Sequence, residues 1–113
     1  MFEKLFEKAS DVVYHQIGPY AAERQHFLEH CGRQGFGKRS LKRVAGFLLT
    51  AAADLQAHGG LQVDQARLEA AATRIESVRS EAGSSGRGAR TYRRDFLRIT
   101  TRWLLFIGHL QRT

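Results

Sequence analysis

The sequence predicts an all-α fold, a compact bundle of four or five helices, on three observations. Apolar residues recur at three- and four-residue intervals through most of the 113 positions, the spacing that gathers them on one face of a helix. Between those stretches lie glycine clusters (Gly32, Gly35 and Gly37, then Gly59-Gly60, then residues 80–89) that read as turns. No stretch alternates apolar and polar residues in the manner of a convincing strand.

Residues 1–18 carry Phe2, Leu5, Phe6, Val12, Val13 and Ile17 among Glu and Lys, and read as a short amphipathic helix or a strap lying on the body. The body is residues 19–113. Gly18-Pro19 punctuates the chain, and Pro19 suits the first turn of a helix. That helix runs to about Gly32 and buries Tyr20, Phe27, Leu28 and Cys31. A second helix runs from near Lys38 to about Ala57, with Leu41, Ala45, Leu48, Ala52 and Leu55 on its inner stripe. Asp64 is placed to cap a third helix, reaching about Arg79, with Leu68, Ala71, Ala72, Ile75 and Val78 facing in. Ser80–Ala89 reads as a flexible loop, and Thr91 or a neighbour starts the final helix. On that helix Tyr92, Phe96, Ile99, Trp103, Phe106 and Leu110 form an apolar stripe, while Arg90, Arg94, Arg98 and Arg102 make a row on the other side.

This length makes one domain, which buries roughly two-thirds of its unfolded surface. Hydrophobic content of 42% with one Pro marks a folded chain. A single Cys excludes an internal disulfide framework and fits a reducing cytoplasm. The first residues mix acids with bases and contain no long apolar run, so neither a leader nor a membrane span is expected.

The net charge of +7 is unevenly distributed. Gly32–Ala57 holds five bases against Asp54, a local +4, and Ala82–Thr113 holds seven Arg against Asp95, a local +6. Lys38, Arg39, Lys42 and Arg43 crowd a helix start, where the helix dipole disfavours cations and the free N–H groups favour phosphate. Arg rather than Lys dominates the last helix, which suits bidentate contact with phosphate or guanine. A polyanion is the expected partner, and nucleic acid fits best; a membrane is not expected. Catalysis is not expected either. His30-Cys31 has no second ligand pair to complete a metal site, Ser84-Ser85 have no matched base, and Gly32–Gly37 lacks the Lys-Ser/Thr of a phosphate loop. No cofactor motif is present.

The run from Tyr20 to Leu55, with Phe27-Leu28, Gly35-Phe36 and Ser40-Leu41 opening a long apolar helix, resembles the N-terminal core-binding domain of tyrosine recombinases, the phage integrases and Xer-type enzymes. The later Arg87–Leu110 run, with Thr91, Tyr92, Phe96, Leu97 and Trp103, is similar to that domain's last helix. The resemblance implies a SAM-like helical domain forming half of a clamp around DNA for integration or recombination, without cleavage of its own. On double-stranded DNA it implies groove-facing positions at Lys38, Arg39, Ser40, Lys42 and Arg43 and at Arg90, Arg93, Arg94 and Arg98; Arg87, just before them, is a further expected DNA contact. It also implies a C-terminal catalytic domain in the full-length protein and self-association on DNA. Two features depart from the family pattern: Gly37-Lys38 stands where a Ser-Pro pair is frequent, and no catalytic domain is present. His30-Cys-Gly-Arg33 and His109-Leu-Gln-Arg112 match the family's His-x-x-Arg box by letter alone. The alternatives are a stand-alone helical DNA-binding regulator and a protein-interaction module whose basic faces meet an acidic partner.

Overall fold

Glycines close the helices of this domain, and the closures decide where its surfaces lie. The computed structural model describes residues 1–111 except Leu61, Ala82, Ser84 and Ser85, with Gly86, Arg87 and Gln111 described by backbone alone. The helices are α1 (Phe2–Leu5), α2 (Ala9–Ile17), α3 (Ala21–Arg33), α4 (Lys38–Ala57), α5 (Gln65–Glu81) and α6 (Gly86–Phe106). The architecture is all-α. Two short strands, β1 (Val63–Asp64) and β2 (Leu110–Gln111), pair in parallel, Val63 opposite Leu110.

The α4 helix has the expected bounds. Its Leu48, Ala52 and Leu55 are buried against Leu28 of α3 and against Leu68, Ala71 and Ala72 of α5 in a single core. The α5 and α6 helices share the most extensive helix–helix contact, through Ile75 of α5 and Phe96, Trp103 and Leu104 of α6. Trp103 is fully buried, and its Nε1–H donates to the Glu23 carbonyl of α3 at 3.2 Å. Asp54 of α4 accepts two bonds from Arg74 of α5, at 3.1 and 2.6 Å. Asp64 caps α5 as expected, accepting from the Arg67 N–H at 2.8 Å.

Several expectations are corrected. The last helix starts at Gly86 rather than near Thr91, and α5 extends to Glu81, so most of the stretch read as a loop, residues 80–81 and 86–89, is helical. The last helix also stops at Phe106. Gly108 takes φ +75°, the His109 N–H returns to the Leu104 carbonyl at 2.8 Å, and Gly108 N–H to that of Leu105 at 3.2 Å. This Schellman closure removes Leu110 from the apolar stripe and turns it into β2. Pro19 precedes α3 instead of opening it, because Tyr20 takes φ 57° and helical geometry begins at Ala21.

The N-terminal strap is two helices, and its inward residues differ from those expected. Phe2 and Leu5 are buried, but Val13 and Ile17 are exposed, and the buried residue of α2 is His15. His15 stacks on Phe6 with ring centroids 4.3 Å apart. Behind it lies Arg24 of α3, fully buried without a carboxylate. Its guanidinium donates to the carbonyls of Pro19 at 2.8 Å and His15 at 2.7 Å. The His15 carbonyl belongs to the last turn of α2, where acceptors lack helical partners and a cation is favoured. Arg24 thereby fastens the strap to the body.

Candidate nucleic-acid interface

Two basic helices meet at one buried carboxylate. Asp95 projects from α6 toward α4, its side chain only 10% exposed, and Arg43 donates to it in a short ion pair. Arg94 and Arg98 approach the other carboxylate oxygen at 3.6 and 3.7 Å. Around this carboxylate opens a cleft of about 430 Å³, walled by Ser40, Arg43, Arg94, Arg98 and Arg102 among others. Four guanidinium groups against one carboxylate leave the cleft at +3. Arg43, Arg94 and Arg98 all keep more than half their side-chain surface in solvent, so their donors remain available to a ligand.

Helical spacing explains the convergence. In α6, Arg90, Arg94, Arg98 and Arg102 advance four residues at a time along the exposed face, while Phe96 and Trp103 point inward. In α4, Arg39 lies one turn before Arg43 on the same face, with Lys42 beside it. The α4 N-terminus starts after Gly37, with no side-chain cap, so its first N–H groups have no side-chain partner.

Not every expected residue joins this cleft. Lys38 sits at the edge of α4 toward the strap, 3.9 Å from Glu7. Arg93 is half-buried on the α6 flank shared with buried Thr100 and Leu104, away from the row. Arg90, Arg39 and Lys42 are accessible along the same two helices but do not wall the cleft. The side chain of Arg87 lies outside the described residues, as does Arg112. Arg102 and Asp95 complete the cleft without having been among the expected contacts. The i+4 step from Arg98 already signalled Arg102.

A second cleft, about 420 Å³, adjoins the first, and Phe36, Val44, Ile99 and Arg102 wall both. Gly35, at φ +98°, closes α3 in another Schellman motif, with Phe36 N–H on the Cys31 carbonyl at 3.2 Å and Gly35 N–H on that of Gly32 at 3.1 Å. Phe36 is thus held at the mouth of the second cleft. At its back, burial pushes the Cys31 thiol up despite the opposing Arg102, which keeps it protonated and poorly nucleophilic. Among the described residues no group of three or more His, Cys, Asp or Glu is placed to hold a metal ion. No helix among them is long and apolar enough to cross a membrane. Fold and cleft define a small helical domain with an arginine-lined cleft on its surface. Comparisons of the chain with protein-family models, curated proteins and solved structures return no match.

Proposed function

We propose that this domain grips duplex DNA, chiefly through its phosphates, and performs no strand cleavage itself. The carrying observation is the meeting of α4 and α6 at Asp95, where four arginines face solvent around one carboxylate. Guanidinium groups on rigid helices suit bidentate phosphate contact, and an uncapped helix start adds N–H donors of the same preference. The setting we propose is the core-binding half of a tyrosine recombinase, supported by the residue pattern of 20–55 and 87–110.

Titration with duplex DNA at several salt concentrations tests the reading. With about four to six phosphate contacts, log affinity falls against log salt with a slope of about −4 to −5. Replacing Arg94 and Arg98 by Ala weakens binding and flattens the slope by about two, while the circular-dichroism spectrum is retained. An unchanged slope in that double variant removes the arginine row from the interface. The recombinase setting is tested by the reading frame beyond Thr113, where a further domain with two Arg, a His-x-x-Arg and a late Tyr is expected.

A further inference from the structure

We propose that the aromatic cleft beside the arginine row receives one unstacked nucleobase, its flanking phosphates held on Arg98 and Arg102; this rests on the DNA-binding reading. The cleft's lining sets Phe27, His30, Gln34, Phe36, Arg102 and Phe106 beside a further apolar wall that includes Val44, Ile99 and Leu105. His30 lies against Phe106 at 4.7 Å between centroids, and Phe27 at 5.5 Å. Phe36 and Phe106 are 40% and 39% exposed and stand outside the buried core. Two half-exposed rings facing a cavity gain free energy when a third flat surface covers them.

The chemistry of the lining selects the occupant. An aliphatic protein anchor would be matched by apolar walls alone. Here the apolar and aromatic walls are joined by the Gln34 amide, the His30 imidazole and the Arg102 guanidinium, groups that can bond the edge of a base. Arg102 has no hydrogen-bond or ion-pair partner among the described residues, although it stands where the two clefts join. The adjoining cleft carries +3, so the ligand that fills both has a flat ring attached to a chain of anions. A nucleotide with its base out of the stack has that form, and an unpaired base costs least to expose.

The test uses three DNA duplexes of identical length: fully paired, with one unpaired adenine bulged from one strand, and with an abasic residue at the bulge. We expect the adenine bulge to bind at least about fivefold tighter than the abasic bulge, as one stacked base contributes. In Phe36→Ala that ratio collapses toward one, while Phe36→Tyr, which keeps the ring, retains it. Equal affinity for the adenine and abasic bulges, with paired duplex still bound at a steep salt slope, overturns the base pocket and leaves the DNA reading standing. Failure to bind any of the three duplexes overturns both. A ratio that survives Phe36→Ala and Phe106→Leu places the base elsewhere and overturns the assignment.

Discussion

The guanidinium of Arg24 donates to the main-chain carbonyl of His15 at 2.7 Å, in the interior of the domain and with no carboxylate bonded to it. Burial depresses the Arg24 pKa, with Glu23 acting weakly in the other direction, and carbonyl oxygens with the Phe2 ring face take the place of a counter-ion. Replacement by Met should leave the Pro19 and His15 acceptors unpaired and cost about 2–4 kcal/mol of stability. Urea denaturation measures it, and a loss under about 0.5 kcal/mol, the scale of an ordinary surface change, would sink the anchoring role.

Acid should loosen the same region. The His15 pKa is lowered by burial and by the Arg24 charge, with Asp11 opposing. The unfolded chain therefore takes up a proton, near the ordinary histidine value of about 6.5, before the folded one does. Stability is full above that pH and falls as pH drops below it toward the depressed folded value. In His15→Phe, which keeps the stacking on Phe6, thermal melts at pH 7.5 and 5.5 should converge relative to wild type. A wild-type-sized pH dependence in the variant would refute this.

Trp103→Ala should cost about 3–5 kcal/mol, the range for emptying a large buried site. Trp103→Phe separates volume from polarity: it keeps most of the packing and removes only the indole bond to the Glu23 carbonyl, which keeps its partner within α3, for a smaller loss of about 0.5–1.5 kcal/mol. Equal losses in both variants would mean that the hydrogen bond, not the packing, dominates.

Asp95→Asn keeps the shape of the cleft and removes its one negative charge. On the DNA-binding reading, affinity for duplex at about 100 mM salt should rise roughly three- to tenfold, because the screening length there, about 10 Å, spans the cleft. The accompanying loss of stability should be about 0.5–1.5 kcal/mol, since Arg43 is more than half exposed and water replaces its partner. A drop in affinity would instead make Asp95 the organiser of the row.

At Gly18 a Cβ atom would stand 2.6 Å from Leu49 Cδ1 and 3.1 Å from Arg24 Nη2. The leucine tip has to move for any side chain to fit, so Gly18→Ala should lower stability by about 1–3 kcal/mol. The melting temperature reports it, and an unchanged value would show that Leu49 swings away at no cost.

How much of this was readable from residues differs by element. The α4 helix was legible at both ends because Gly37 and Gly59 bracket an unbroken apolar stripe. The start of α6 was hidden, since a run of Gly and Ser reads as a loop, yet Ala89 inside it is buried at 1%. Periodicity weighs residue type and cannot see neighbours. It placed Ile17 inward, whereas the stacking rings of Phe6 and Phe2 hold His15 there. The burial of Arg24 had no sequence signal, because the carbonyls that make it tolerable come from the last turn of α2 and the turn that follows it. The two basic segments stood out by charge. Their meeting at Asp95, 52 residues from Arg43, is a fact of packing.

Arg102 and Trp103 are neighbours in sequence with opposite surroundings, one at the mouth of two clefts and the other sealed in the core and tied to α3. Every arginine of the row is rooted in a helix whose reverse side is fixed in this way. On the DNA-binding reading, α6 offers its row on a backbone already packed against the core, so the ordering on docking falls chiefly on side-chain rotamers. For long, mobile arginines that loss is about 2 kcal/mol each at most, far less than folding a disordered basic tail onto the same target.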